Sequence, residues 1–382
     1  MSTPDIIVVG SGFFGATVAE RVATVLKKKV LVIEKRPHIG GNAFSFTHQE
    51  SGIEIHKYGL HIFHTSNRKV IEYISQFAQF NDYRHKVLSR YKNELYSMPI
   101  NLKTIRKIFG QEFTPAEAEA AIKKEIMESG ILDLVVDANL RNKAISLTGS
   151  TLYEALIRGY TKKQWQLDPE LLPASIIARL PVRFNFDDNY FFDDFQGIPK
   201  SGYTDVFTKM LHHANITVLT ETDYFETQWA RNEVTPTVYT GPIDQYFDYK
   251  FGELNWRTLD FDTQVYPVKL FQEVAAINEA DEEVPWTRTL EYRHLQVHQQ
   301  LSAEISVVTR EYSRKAERND EPYYPVNTEA DREKLLKYRD LSGRSMNVIF
   351  GGRLGSYQYL DMHMAIGSAL TCFENEIVPR LS

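Results

Sequence analysis

Ile6-Ile7-Val8-Val9-Gly10-Ser11-Gly12-Phe13-Phe14-Gly15 opens the stretch that decides the fold, and Val30-Leu31-Val32-Ile33-Glu34 closes it. The first four residues form a short, fully apolar run suited to a buried parallel strand. A helical pattern follows the glycines, with Ala16, Ala19, Val22, Val25 and Leu26 expected on one face. A second apolar run then ends in an acid. A lone GxGxxG is a weak signal, but here it stands between two strands and ahead of a helix. That context is the dinucleotide fingerprint. Gly10 permits the tight turn, Gly12 lets the backbone approach a pyrophosphate, Gly15 allows close helix–strand packing, and Glu34 accepts from ribose hydroxyls.

Downstream, Arg36-Pro37-His38-Ile39-Gly40-Gly41-Asn42 adds a second glycine pair that an NAD domain does not need. FAD-binding chains of the glutathione-reductase and amine-oxidase type carry such a pair, and this sequence resembles them here. FAD is therefore the expected cofactor.

Composition sets the outer bounds. The 382 residues suffice for two or three domains, and 43% hydrophobic with 25% charged residues is ordinary for a soluble globular protein. The net charge of −6 argues against a nucleic-acid surface, so phosphate binding must rest on a few placed arginines and helix N-termini. The single cysteine, Cys372, excludes an intrachain disulfide. No run reaches transmembrane length and no basic, signal-like start is present, so a soluble, cytoplasmic protein without membrane insertion is expected.

The segment His56–Thr65 holds three of the 11 histidines. No carboxylate or cysteine stands near them in sequence, so no metal is expected, and a loop lying along a flavin is the preferred reading. Residues 81–180 read as a helical insertion. Thr114-Pro115-Ala116-Glu117 is a capped helix start, and Gly130 and Gly159 read as helix stops. Arg179 and Arg183, four apart, make a weak anion-site signal. Strands expected around Ile216–Thr220, Thr237–Gly241, Thr287–Thr289 and Ile305–Thr309 return the chain to sheet, and Val348–Phe350 with a terminal helix closes the flavin fold. The fold class expected is α/β: a Rossmann-like FAD-binding domain (1–80 with 200–250 and 340–382), a helical domain (81–180) and an antiparallel-sheet substrate domain (181–199 with 251–339).

Eight stretches in order resemble the bacterial UDP-galactopyranose mutases: HKYGLHIFHT (56–65), GYTKKQW (159–165), LPVRFNFDDNYF (180–191), FQGIPKSGYT (195–204), YTGPIDQYFDY (239–249), VPWTR (284–288), EPYYPVN (321–327) and GGRLGSYQYLDM (351–362). The resemblance implies an isomerase that interconverts UDP-galactopyranose and UDP-galactofuranose with no net redox, the N5 of reduced FAD attacking the anomeric carbon. By the same resemblance Arg179 and Arg288 hold the diphosphate, and Tyr160 and Trp165 stack on uracil. His85, Thr161, Tyr190, Asn278, Tyr324 and Tyr359 stand at positions that contact the nucleotide sugar. To the fingerprint residues it adds Gly41, Phe14, Asn42, His61, Ile62, Arg353, Asp361 and Met362 around FAD, and it implies a homodimer served by a cellular reductant. The chain departs from the pattern at His85 (Asn in many relatives), at Gln166 (usually Gly) and at Leu156 and Ile157 (usually rings). Two alternatives share the first domain: a flavin oxidase with an apolar tunnel, and a non-enzymatic binding module on the same scaffold.

Overall fold

The computed structural model describes residues 3–177, 180–231, 234–301 and 303–381. Its first layer is a five-stranded, all-parallel sheet of order β16-β10-β1-β2-β9, built from β1 (Ile6–Val9), β2 (Val30–Ile33), β9 (Ile216–Leu219), β10 (Thr237–Tyr239) and β16 (Val348–Phe350). The side-chain period of two sends Ile6 and Val8 to one face and Ile7 and Val9 to the other. Helices α1 (Phe13–Val25), α7 (Gly202–Leu211) and α11 (Met362–Cys372) cover the first face, with Val18, Val22, Phe207, Ile366 and Ala369 at its core. The second face packs on Tyr224, Tyr239 and Tyr246, the last from α8 (Ile243–Tyr246). Each fully buried aliphatic side chain here contributes about 1.5–3 kcal/mol. Val25, expected on the core face of α1, is instead half exposed as the last residue of the helix.

The second layer is a seven-stranded sheet of order β15-β11-β14-β13-β12-β6-β7. Its strands are β6 (Val87–Tyr91), β7 (Glu94–Met98), β11 (Trp256–Tyr266), β12 (Ala276–Glu279), β13 (Arg288–Glu291), β14 (Ser306–Lys315) and β15 (Tyr324–Pro325). Every pairing is antiparallel except β12 with β6, which is parallel. The segment expected to be helical from 81 therefore opens on a hairpin that joins this sheet. Two small ladders pair β3 (Ser45–Thr47) with β4 (Glu54–His56), and β5 (Phe63–Thr65) with β8 (Phe195–Gly197). Helix α2 (Arg68–Ile74) follows β5, and α9 (Glu329–Arg344) and α10 (Gly352–Ser356) flank β16.

Against the second layer pack α3 (Leu102–Phe109), α4 (Pro115–Glu128), α5 (Leu140–Leu152), a wider π turn over Tyr153–Arg158, and α6 (Gly159–Trp165). Thr114 caps α4 with the full reciprocal box to Glu117, and Gly130 follows the helix in the left-handed region. Gly159 does not stop a helix. Its φ of −65° is helical, and its bare Cα instead lets α6 approach the chain, since a Cβ there would stand 2.1 Å from the Ala280 carbonyl oxygen. The break falls at Gly149 (φ 77°), and α6 ends at Gln166 (φ 51°). Gln166 adopts a glycine-like conformation, and its side chain offsets the cost by donating to the Ser313 carbonyl (3.1 Å) and accepting from Arg257 (3.2 Å). Leu156 and Ile157 are buried in the core shared by the helices and the sheet.

Candidate active site

A cavity of about 380 Å³ opens above the carboxyl ends of β1 and β2. Of the residues expected around the cofactor, Gly10, Gly12, Phe14, Gly15, Glu34, Gly41, Asn42, His61, Arg353 and Met362 all line it. Ile62 and Asp361 do not. Ile62 packs into a core with Ile53, Ile55 and Tyr83 instead. The cavity floor is bare backbone. The Gly41 Cα lies where a Cβ would come within 3.2 Å of Gly12, and a Cβ on Gly15 would sit 2.0 Å from the Gly10 carbonyl oxygen. Two glycine turns facing each other leave room for a diphosphate against main-chain N–H groups.

Glu34 ends β2 as a buried carboxylate, accepting from the Ser11 amide (2.9 Å), the Ser11 hydroxyl (2.6 Å) and the Arg36 amide (3.0 Å). Arg36, on the cavity wall, donates to Asn42 (2.8 Å) and pairs with Glu321. Its Nη1 is buried without a partner among the described residues. An orphaned guanidinium donor beside a glycine cradle suits an anionic dinucleotide. His61 hydrogen-bonds the Gly59 carbonyl through Nδ1 (2.7 Å), so that nitrogen carries the proton. Burial lowers its pKa to about 4, and the ring is neutral near pH 7.

The seven-stranded sheet supplies the other half. Register aligns Ser89, Asn278, Arg288, Glu311 and Phe261 in one row across β6, β12, β13, β14 and β11, so these side chains share one face. Arg288 lies 3.7 Å from Glu311 and 5.9 Å from the Tyr160 ring centroid. Burial works against its charge, yet Tyr160, Glu311, Tyr324 and Tyr190 outweigh that and hold its pKa well above the ordinary value. Burial raises the pKa of Glu311, and Arg288 opposes the rise. Tyr324 stacks on Tyr359 (5.7 Å, 20°), which in turn lies under the Arg353 guanidinium (4.8 Å). Tyr190 donates its amide to the His85 carbonyl and packs edge-on against the His85 ring (5.4 Å). Burial, then Arg288 and His64, lower the pKa of His85 to about 3, so this imidazole is neutral.

Thr161 is buried within α6, and Trp165 packs partly into the helical core. Arg179 lies outside the described residues. Arg183 donates through Nη1 to the Asn189 carbonyl (2.5 Å), pairs with Asp187 and lies 3.9 Å from the Phe192 ring centroid, bracing the loop that carries Tyr190, while its Nε and Nη2 are buried without a partner among the described residues. Sequence reasoning missed Glu311, whose register beside Arg288 has no local signal. It also missed Lys163, whose ammonium donates to the carbonyls of Glu279 (2.7 Å), Asp281 (2.7 Å) and Trp286 (3.2 Å) and pins α6 to the turn before β13.

The family model described as UDP-galactopyranose mutase matches residues 155–359, which span α6 and, of the row, Phe261, Asn278, Arg288 and Glu311, and a model of NAD(P)-binding Rossmann-like domains matches residues 8–77. A probable UDP-galactopyranose mutase of Klebsiella pneumoniae is 39% identical over 370 residues, covering 97% of this chain and 94% of that protein. The chain belongs to the UDP-galactopyranose mutase family. It is an isomerase of that family, as the eight stretches implied. A dTDP-fucopyranose mutase of Escherichia coli is 36% identical over 378 residues, with 96% and 97% of the two chains covered. The fold agrees with a crystal structure of reduced UDP-galactopyranose mutase at a TM-score of 0.76, over 100% of this chain and 96% of that one, at 13% identity. The mutase family thus accounts for the α/β architecture, a Rossmann-like layer joined to a sheet that is mostly antiparallel. Among the described residues no helix is long and apolar enough to cross a membrane.

Proposed function

We propose that the chain interconverts UDP-galactopyranose and UDP-galactofuranose on reduced FAD, with no net redox. The observation that carries this reading is Arg288, a cation ringed by the phenols of Tyr160, Tyr190 and Tyr324, on the sheet that adjoins a glycine-lined dinucleotide cavity. Reduced FAD supplies the nucleophile, its N5, for the anomeric carbon. The chain's own residues do the rest. Gly12 and Gly41 bring bare main chain to the FAD diphosphate while Gly10 and Gly15 hold the turn and the approach of α1, Glu34 takes a ribose, and Phe14, Asn42, His61, Arg353 and Met362 surround the remainder. Arg288, with Arg179 from the 173–183 segment, holds the UDP diphosphate as it departs and returns, which bidentate guanidinium forks do well. Tyr324 and Tyr359 flank that diphosphate, Tyr160 and Trp165 stack on uracil beside Thr161, and His85, Tyr190 and Asn278 face the sugar.

His85 is a neutral ring with its Nδ1 3.0 Å from the Tyr83 hydroxyl, so it orients a sugar hydroxyl by hydrogen bonding rather than by charge. We assign the reaction to the cytoplasm and to a homodimer, with a cellular reductant keeping the flavin reduced. The test is anaerobic, dithionite-reduced protein given UDP-galactofuranose, beside an oxidised control and a parallel assay with dTDP-fucofuranose. Formation of UDP-galactopyranose only in the reduced sample is expected. A flavin-loaded protein that converts neither sugar overturns the mutase reading. Preferential conversion of the dTDP sugar moves the substrate to that of the E. coli relative.

A further inference from the structure

The histidine-rich run that lacked a carboxylate nearby in sequence acquires one in the fold. His64, in the middle of β5, is brought against the first turn of α11, about 300 residues later. A ring nitrogen of His64, a carboxylate oxygen of Asp361 and a ring nitrogen of His363 all lie within 4.8 Å of one another. We propose that these three side chains bind a divalent first-row metal ion of the zinc, cobalt or iron type.

Four observations point this way. Asp361 is the N-cap residue of α11, with the extended backbone of a cap (φ −68°, ψ 162°), yet its side chain makes no capping hydrogen bond. Among the described residues its carboxylate has no hydrogen-bond or ion-pair partner at all. Such an acid ordinarily closes on the free amides of the first turn, and here it is turned toward the two rings instead. Second, the His363 ring nitrogens make no hydrogen bond among the described residues, and the ring meets His64 edge-on at 4.9 Å. Third, His64 is already built as metal-binding histidines are built. Its Nδ1 donates to the Asp193 carboxylate (2.7 Å), which leaves Nε2 with the lone pair. Asp193 is itself held by the Ser66 hydroxyl (3.2 Å). Fourth, the His64 ring lies flat on Phe191 (3.6 Å between centroids, 12°), so its plane is fixed before any ligand arrives.

The chemistry of the set is two imidazoles and one carboxylate with positions left for water, a combination that suits borderline divalent ions rather than calcium or magnesium. Metal–nitrogen and metal–oxygen bonds of about 2.0–2.2 Å place two ligands of one ion roughly 3–3.5 Å apart, so closure needs about an ångström of side-chain movement. A cation at a helix N-terminus is opposed by the helix dipole, and the carboxylates of Asp361 and Asp193 offset that. The ion would tie β5, the start of α11 and the 190–193 loop together. Its place is next to Met362 on the cofactor cavity, and through Phe191 next to His85, whose ring stands 5.8 Å from Phe191. The inference does not depend on the mutase reading.

The test uses tag-free flavoprotein, stripped of metal with a chelator and titrated with Co²⁺. One equivalent of Co²⁺ per chain is expected, with visible d–d bands that Zn²⁺ abolishes on displacing it. Both uptake and bands should vanish in His363→Ala, and Asp193→Asn should weaken binding about 10–100-fold by releasing the His64 ring. Flavin content and circular dichroism equal to wild type qualify each variant as folded. His363→Gln replaces any variant that fails this check. Absence of stoichiometric uptake by the wild type overturns the proposal without recourse to variants, as does full uptake with unchanged bands in folded His363→Ala.

Discussion

The two halves of the site were built by different routes. The cofactor cavity is nearly a single local object: Gly10, Gly12, Gly15, Glu34, Gly41 and Asn42 fall within one stretch, and two adjacent parallel strands place them. The substrate side is a row drawn from five strands, with Ser89, Asn278, Arg288, Glu311 and Phe261 side by side only because of register. The first half therefore depends on backbone that no side chain intrudes upon. The second depends on charge and on hydroxyl groups set around one guanidinium. Changes in the two halves should fail in different ways.

The largest effect is expected from Arg288→Ala, which removes the cation and leaves the glycine cradle intact. Turnover by the reduced enzyme should fall by about 10²–10³-fold, on the order of 3–4 kcal/mol, with flavin content unchanged in the absorbance ratio. Loss of flavin from this variant would break the division between the halves. Gly15→Ala should do the opposite. Its Cβ would meet the Gly10 carbonyl oxygen at 2.0 Å, and such overpacking costs about 1–3 kcal/mol. Reduced flavin occupancy and a lower Tm are expected, with activity per bound flavin retained. Equal Tm and occupancy would show that the close approach of α1 to β1 matters little.

A third prediction concerns the pH dependence of stability. His56 and His85 have pKa values lowered to about 3, and His61 to about 4, chiefly by burial. Below the ordinary value of about 6.5 the unfolded chain binds protons that the folded chain refuses. The stabilisation of the neutral rings is thus fully present above pH 6.5 and is lost as pH falls toward 3–4. Each ring contributes a slope of at most about 1.4 kcal/mol per pH unit. His85→Asn should flatten the fall in denaturation midpoint between pH 6.5 and 4, and an unchanged profile would mean His85 is protonated in the fold. The smallest effect belongs to Thr114→Ala, far from both halves. It removes the cap of α4 and should cost about 0.5–2 kcal/mol in chemical denaturation, with flavin content and turnover unchanged.

Legibility in the sequence followed the same division. The fingerprint could be read because its residues are neighbours whose spacing has one structural solution, and the Thr114 cap because a cap is a local device. Gly159 misled because a glycine that ends a helix and a glycine that lets a helix touch another backbone look identical in sequence; only the Ala280 carbonyl distinguishes them. The hairpin of β6 and β7 was hidden in a segment otherwise helical, since its strand β6 finds a parallel partner nearly two hundred residues away. Glu311 could not be found by pattern: its meaning is its place beside Arg288. His64 was set aside as a ligand because Asp361 and His363 lie beyond any sequence window. Resemblance supplied Arg288 and the tyrosines where pattern could not.

The central claim is that the glycine-lined cavity and the Arg288 row form one site. Titrating FAD-loaded protein with UDP, while following flavin absorbance and fluorescence, tests it most directly. A saturable perturbation in the wild type that disappears in folded, flavin-replete Arg288→Ala is the predicted result. A perturbation of equal size and midpoint in the variant would contradict the account, because UDP would then reach the flavin without the row that is meant to hold it.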